Sequence, residues 1–244
     1  MKLAYLLLSL VVAVTPGAPA AAAPTIIHTT PTPVALYRFE AAQTTAAGVA
    51  DLSGQNNTLT PRAADGGAVQ YATRADGRAA MMPRRCVTGV ASCPRVTFEA
   101  PHKASLSPGL QRLKYGATIA GAIGAVGVGA NILQKGVNPG SQYKLQIGAS
   151  GKPNCVISGA AAGQKYLARS SIAVTDGQWH QISCERAGTS LTIRVDDQVR
   201  GWTTVPAQVT IANTAPLRIG SRSLADRTDR FGGGVDDIFV IIGG

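Results

Sequence analysis

The segment Asp176-Gly-Gln-Trp-His-Gln-Ile-Ser-Cys-Glu-Arg-Ala-Gly188, followed by Leu191-Thr-Ile-Arg-Val-Asp196, has a two-residue alternation of side-chain character. Successive side chains of a β-strand point to opposite faces, so His180, Ile182 and Cys184 share one face. The apolar members of this set predict that the face is buried. We therefore expect His180 to be a hydrogen-bonded histidine of the core.

The next residues predict a hairpin. The apolar residues of Leu191–Val195 fall on one face of a strand and the polar ones on the other. Asp196-Asp197 then turns the chain into Val199-Arg-Gly-Trp-Thr203. This pattern is typical of an antiparallel sheet with one buried and one solvated face.

The same strand signal recurs along the chain from Val34 onward, broken by Gly, Asn, Asp and Pro about every ten residues. No segment shows twelve residues of helical period with caps. Many short strands at this spacing predict an all-β, antiparallel sandwich or barrel. The further strand candidates are Val34–Phe39, Thr58–Thr60, Arg95–Glu99, Tyr143–Ile147, Leu217–Ile219 and Phe239–Ile242.

Length and composition exclude other classes. The 244 residues are 45% hydrophobic, too apolar for a disordered tail, and their 28 glycines and 14 prolines are too few for a low-complexity protein. No linker after Val34 is long enough to separate two domains. We expect one domain over residues 34–244.

The first residues are typical of a secretory signal peptide. Lys2 precedes the apolar run Leu3–Val14, and Ala18–Ala23 supplies small residues for cleavage. A membrane anchor is the alternative, but twelve apolar residues are too few to span the hydrocarbon core. We predict a signal peptide at residues 1–23 and a flexible lead-in at 24–33, hence a secreted or cell-envelope protein.

Removal of that peptide leaves 22 cationic and 13 anionic residues, a formal charge of +9, and 16 of the cations are arginine. A basic extracellular protein meets anionic glycans, wall polymers or acidic proteins. Solubility alone is the competing explanation, since Arg84-Arg85 is the only adjacent pair. Export and the lack of a basic motif with aromatic residues argue against nucleic acid.

Four cysteines allow three disulfide pairings. Cys86 and Cys93 enclose a short loop whose closure costs little entropy. Cys155 and Cys184 both lie in predicted strands. We expect the pairs Cys86–Cys93 and Cys155–Cys184, the second on neighbouring strands. No two cysteines have the close spacing of a zinc site.

The stretch Ala117–Ala130 contains four glycines and no charge. Gly127-Val-Gly129 lacks the third glycine of a dinucleotide-binding loop and its βαβ surroundings. We predict a doubly buried inner strand and a glycine bend, followed by a strand at Asn131–Lys135.

The alternating segment at residues 176–196 resembles the laminin G-like domains of the concanavalin A-like lectin/glucanase superfamily. It is most similar to the secreted laminin G-like proteins of high-GC Gram-positive bacteria. The resemblance runs from about Val34 to Ile242 and implies an antiparallel two-sheet jelly-roll sandwich. Further pieces in the family's order are Asp51–Gly54, Leu133–Gly136, Tyr143–Gln146, Pro216–Gly220 and Phe231–Ile238.

The resemblance also implies a structural calcium ion where the chain ends meet. Its carboxylate ligands would be Glu40 and Asp236, with Asp51 as a further contributor. The alternative is that Glu40 and Asp236 pair with arginines such as Arg38 and Arg230, because the net positive charge opposes cation binding.

Two tryptophans are candidates for ligand contact. Trp179, opposite His180, either packs under a second strand layer or is exposed for sugar stacking, and we favour packing. Trp202 follows the hairpin beside Arg200, near the surface. Trp202 and Arg200 are the ligand-binding candidates, although packing at the rim is the favoured role of Trp202.

No catalytic motif occurs in the chain. G-x-S-x-G and H-E-x-x-H are absent, and Glu40, Glu99 and Glu185 do not form the E-x-D-x-x-E pattern of the glucanases that share this fold. We predict a non-catalytic extracellular module that binds a glycan or an acidic partner. The alternatives are a structural or adhesive envelope protein and a divergent glycoside hydrolase.

Overall fold

The computed structural model describes residues 31–87, 89–122, 129–148 and 150–244, which fold as an all-β sandwich. Two short 3-10 helices, at Ala41–Gln43 and Ala104–Leu106, interrupt the strands. The strands in chain order are β1 (Pro33–Tyr37), β2 (Thr44–Thr45), β3 (Gly48–Val49), β4 (Thr60–Ala64), β5 (Gln70–Arg74), β6 (Gly77–Met82), β7 (Arg95–Ala100), β8 (Leu113–Ala122), β9 (Ala130–Gly136), β10 (Gln142–Ile147), β11 (Pro153–Ser158), β12 (Lys165–Arg169), β13 (Asp176–Ala187), β14 (Ser190–Val195), β15 (Gln198–Thr204), β16 (Leu217–Ile219) and β17 (Gly233–Ile242).

Two antiparallel sheets form the layers of the sandwich. The larger sheet has the order β15-β14-β13-β8-β17-β6-β5, with β1 also paired to β17. The smaller sheet has the order β12-β11-β10-β9-β16-β7-β4, and β2 and β3 form a separate pair. The arrangement confirms the all-β, two-sheet jelly-roll class that the strand spacing and the resemblance predict.

The last strand, β17, lies inside the larger sheet. One edge pairs with β8, and a bulge interrupts that ladder between Asp236 and Phe239. Its other edge is shared, because β6 pairs with Gly233–Val235 and β1 pairs with the half from Ile238 to Ile241. The first and last strands of the described chain are therefore neighbours in this sheet.

The core lies between the two sheets. Ile182 and Cys184 on β13 are fully buried, as their alternation predicts. Aromatic pairs connect the layers: the ring centroids of Tyr115 and Tyr143 are 5.2 Å apart, and Phe98 packs at the same distance from the ring of Phe39. Such pairs add packing energy beyond the apolar area that they bury.

The disulfide partners are those expected from the sequence. Cys86 is bonded to Cys93, and Cys155 is bonded to Cys184 with a Cα–Cα distance of 5.5 Å. The expectation that Cys155 and Cys184 lie on neighbouring strands is wrong. They belong to β11 and β13, in different sheets, so this bond crosses the core.

The glycine-containing stretch forms inner strands on both sides of its bend. Ala117–Ala122 is part of β8, between β13 and β17, and the next strand begins at Ala130. The bend predicted between them falls at 123–128, outside the described residues, as do the predicted signal peptide and most of the lead-in. No helix in the described ranges has the length and apolar character that a membrane crossing needs.

We predict that the inter-sheet disulfide stabilises the fold more than the local one. Replacing Cys155 and Cys184 together by alanine should lower the free energy of unfolding by about 3 kcal/mol, because the bond closes a long loop in the unfolded chain. The Cys86/Cys93 double alanine variant is the matched control and should lose less. Urea unfolding monitored by tryptophan fluorescence measures both, and equal losses would contradict the prediction.

Candidate functional site

An open groove of about 650 Å³ lies on the outer face of the larger sheet. Its volume is in the range of small-molecule sites, roughly 300–1,000 Å³. Leu36, Phe239 and Ile241 supply apolar surface, and Gln181 and Ser183 supply neutral polar groups. The charged lining comprises five carboxylates, Glu40, Asp76, Asp197, Asp236 and Asp237, and two cations, Arg38 and Lys114.

The alternation of β13 positions part of this lining. Ile182 and Cys184 point into the core, so Gln181 and Ser183 point outward. Across the sheet, the Phe239 ring covers Gly116, where a Cβ atom would lie 2.9 Å from two ring carbons. A glycine at 116 therefore lets the aromatic ring lie close against the sheet.

Arg74 holds the carboxylates at the β17 bulge. Its Nη1 is 2.8 Å from Asp236 Oδ2 and 3.0 Å from Asp237 Oδ2, and its Nε is 2.7 Å from Asp76 Oδ1. Burial, followed by repulsion from Asp237, raises the pKa of Asp236 even though Arg74 acts in the opposite direction. The guanidinium thus compensates two adjacent carboxylates, of which Asp236 is buried and Asp237 is partly exposed.

Trp179 lies on the same outer face. A Cβ atom on Gly234 would be 2.4 Å from Trp179 Cη2, and the Arg74 guanidinium carbon is 4.9 Å from the ring centroid. The ring packs on the strand and on the cation, yet 37% of the residue is exposed. The favoured packing role thus describes one side of Trp179, while part of it remains accessible.

His180 differs from its expected place in the core. Its Nδ1 is 2.8 Å from Asp196 Oδ2 and its Nε2 is 3.2 Å from Asp176 Oδ1, and 15% of the side chain is exposed. The imidazole is hydrogen-bonded as predicted, but between two exposed aspartates. The two-residue alternation predicted the correct face of the strand for His180. The residue lies near the start of β13, however, and this position is outside the core.

The three predicted calcium ligands have separate roles in the structure. Asp51 accepts hydrogen bonds from the backbone N–H groups of Leu36, Ser53 and Asn57. Glu40 accepts one from the N–H of Arg78, and Asp236 accepts one from the N–H of Phe39 besides its ion pair with Arg74.

The arginines differ from those suggested as alternative partners. Arg38 pairs with Asp237 at 3.3 Å, whereas the buried Arg230 donates to the carbonyl oxygens of Val96 and Asp226. Among the described residues, no group of three or more His, Cys, Asp or Glu side chains is arranged to hold a metal ion. Calcium binding stays an implication of the resemblance, and the contacts of Arg74 favour the alternative in which an arginine pairs with Asp236.

Trp202 is 69% exposed on β15, an edge strand of the larger sheet. Cross-strand register connects it through Thr192 and Glu185 to Lys114, which lines the groove. Trp202 therefore lies three strand spacings, about 14 Å, from Lys114 at the edge of the groove. Arg200 is the extra residue of the bulge opposite Ile193–Arg194 and is half-buried.

Sequence reasoning missed most of the groove. Arg74, Asp237 and Phe239 carry no recognisable motif, and the tertiary pairing of β17 brings them together. Gln181 and Ser183 could have been found, since the argument that places Ile182 inward places both of them outward.

Residues 123–241 match the family model Laminin_G_3, described as Concanavalin A-like lectin/glucanases superfamily. That match and the two antiparallel sheets agree. This part of the chain is therefore similar to concanavalin A-like domains. The match covers slightly less than half of the chain, and the sandwich extends beyond it through β1 to β8. No curated protein sequence matches the chain significantly.

Several solved structures share the fold of this chain at low sequence identity. Domain 4 of AbnA, a GH43 extracellular arabinanase from Geobacillus stearothermophilus, has 14% identity and a TM-score of 0.65, with 87% of this chain and 93% of that domain covered. The binding domain of Paraclostridial Mosquitocidal Protein 1 has 13% identity and a TM-score of 0.64. The binding domain of Botulinum Neurotoxin DC has 9% identity and a TM-score of 0.62. In both comparisons with toxins, 87% of this chain is aligned. The aligned part spans only about half of each toxin binding domain.

The contacts of His180 predict a pH-dependent contribution to stability. Burial lowers its pKa, but hydrogen bonds to Asp196 and Asp176 outweigh burial and raise the pKa above its usual value. A raised pKa in the folded state stabilises the protein at low pH, and this contribution disappears as pH rises through the folded-state pKa. The stability lost in His180→Gln should therefore be larger at about pH 5.5 than at pH 8. Urea unfolding at both pH values tests this, and an unchanged difference would contradict it.

We expect Arg74 rather than calcium to neutralise the carboxylates at the β17 bulge. Thermal melts in millimolar calcium and in chelator should then give the same Tm. Differential scanning calorimetry of the wild type and Asp236→Asn makes the comparison. A rise of several degrees with calcium, absent in Asp236→Asn, would instead support the predicted ion.

Proposed function

We propose that this chain is an extracellular, non-catalytic carbohydrate-binding module. Its binding surface is the groove on the outer face of the larger sheet, extended by Trp202. The observation that carries the proposal is the combination of apolar floor and polar rim: Phe239 and Ile241 lie beside Gln181, Ser183 and the carboxylates.

This combination suits a sugar. The C–H face of a pyranose or furanose ring packs on apolar and aromatic surface, while hydroxyl groups need hydrogen-bond partners. Carboxylates such as Asp197 and Asp237 only accept hydrogen bonds, and the Gln181 side-chain amide both accepts and donates. With Arg74 counted beside Arg38 and Lys114, the five carboxylates still outnumber the cations, and this excess of negative charge disfavours an anionic ligand. The groove therefore fits a neutral sugar.

Two of the similar structures were solved with ligands that agree with the proposal. The AbnA domain is in complex with arabinotriose, and the Botulinum Neurotoxin DC binding domain is in complex with SialylT. Their identities of 14% and 9% transfer only the fold. They support a sandwich of this kind as a scaffold for glycan recognition, and the groove of this chain supplies the proposed site.

An extracellular location is part of the proposal. All four cysteines are paired in disulfides, which persist in oxidising compartments. The predicted signal peptide at residues 1–23 supports the same location. Specialisation for an acidic protein partner receives no support from the groove, because carboxylates outnumber cations in its lining.

Glycoside hydrolysis is a second candidate, favoured by the several carboxylates in the groove. A hydrolase needs one carboxyl group that donates a proton and another that acts as nucleophile or base. Asp236 and Asp237 both contact Arg74, and Glu40 is hydrogen-bonded to the backbone of Arg78. These three carboxylates are thus engaged in contacts that hold strands of the sheet together, and this structural role supports a binding module.

We predict selective binding of neutral oligosaccharides that depends on the groove. Titration calorimetry with arabinotriose and a panel of neutral oligosaccharides should identify a ligand whose affinity falls about tenfold, roughly 1.4 kcal/mol, in Trp202→Ala and in Gln181→Ala. Both side chains are exposed, so their truncation should leave the fold intact. Leu110→Ala is the matched control, because Leu110 is an exposed apolar residue that does not line the groove.

Absence of selective binding, or an equal loss in Leu110→Ala, would contradict the binding proposal and favour a structural or adhesive role. Release of reducing sugar from any bound oligosaccharide would instead support the hydrolase. The same protein preparations serve both measurements.

A further inference from the structure

A second cavity, of about 400 Å³, lies on the outer face of the smaller sheet, on the opposite layer from the groove. The strands β10, β11 and β12 form its floor. Its side chains are of a different kind: Gln146, Asn154, Lys152, Arg169 and Leu167. None of the described lining residues is acidic.

A polar row crosses this floor. Gln146 pairs with Asn154, and Asn154 pairs with Arg169, in the ladders of β10, β11 and β12. Directly opposed residues on one face of a sheet have Cβ atoms about 5 Å apart, so these three side chains are neighbours. Alternation fixes their direction, because Leu145, Cys155 and Ala168 on the same strands face the core.

Asn154 is the feature that points to a ligand. The residue is only 2% exposed and lines the cavity, and its Oδ1 has no hydrogen-bond partner in the structure. A buried polar group without a partner costs free energy, and most buried polar groups in proteins are satisfied. Because Oδ1 is itself shielded, the amide has to rotate towards the cavity before a hydroxyl group of a bound molecule can supply the missing donor.

The charges of the cavity define the second part of the ligand. Lys152 and Arg169 form no ion pair with the described residues. Asp229 lies beside Gly129 at the rim, 3.4 Å from the position of an added Cβ atom. The planar guanidinium of Arg169 can donate two parallel hydrogen bonds to a carboxylate. The ammonium group of Lys152 adds a second positive charge.

We infer that this cavity binds an acidic sugar unit, with the carboxylate at Arg169 and Lys152 and an adjacent hydroxyl at Asn154. The site is separate from the neutral-sugar groove and does not depend on it. The two outer faces then recognise different parts of a glycan surface, one neutral and one acidic.

The test uses trigalacturonate and sialyllactose, each beside its own methyl ester, in titration calorimetry at low and high salt. The wild-type chain should bind at least one acid, bind its methyl ester at least tenfold more weakly, and lose affinity as salt rises. Arg169→Gln and Lys152→Gln should each reduce binding of the acid at least tenfold. Lys165→Gln is the matched control, since Lys165 is an exposed cation on the same strand as Arg169 but outside the cavity.

Three outcomes would overturn the inference: neither acid binds, the methyl esters bind equally well, or Lys165→Gln weakens binding as much as Arg169→Gln. The last outcome would show a general effect of positive charge. Trp202→Ala in the groove should leave binding of the acid unchanged. Failure of the neutral-sugar proposal and failure of this one therefore give different patterns.

Discussion

The insertion of β17 into the larger sheet is the constraint on which the rest of the sandwich depends. This strand comes last in the chain, yet it separates β8 from β1 and β6, so the sheet is complete only when the two ends of the domain meet. Its bulge turns Asp236 and Asp237 towards Arg74. Without this cation, two adjacent carboxylates would be partly buried with little compensation, which is costly.

The same constraint creates the groove. Because β1 and β6 share one edge of β17, residues that are distant in sequence line a single depression: Arg38 and Glu40 follow β1, Asp76 precedes β6, and Asp236 lies on β17. The strand pairing also brings Phe239 onto Gly116 and Trp179 onto Gly234. In both cases a glycine leaves space for an aromatic ring to lie against the sheet, which gives the polar surface its apolar area.

The charge of the whole chain gives a poor description of its surfaces. A chain with an excess of arginine predicts contact with acidic partners, but five of its 13 acidic residues line one groove. On the other layer, Lys152 and Arg169 line a cavity whose described lining has no acidic residue, with Asp229 at its rim. Net charge is a sum over all residues, whereas a ligand meets only the side chains within a few ångströms, where screening is weak.

Local periodicity in the sequence encoded strands and the inward faces of Ile182 and Cys184. The positions of the four cysteines indicated the disulfide partners, and the resemblance supplied the two-sheet class that the strand pattern alone had left open between sandwich and barrel. The sequence placed His180 on the correct face but not at the correct depth, because alternation specifies direction and not distance from the core. The sheet assignment of Cys155 and Cys184, the pairing of Arg74 with Asp236, and the row of Gln146, Asn154 and Arg169 were decided only by the tertiary structure. These contacts join strands whose relative order and register follow from the packing of the whole chain, and a single strand's pattern contains no information about its neighbours.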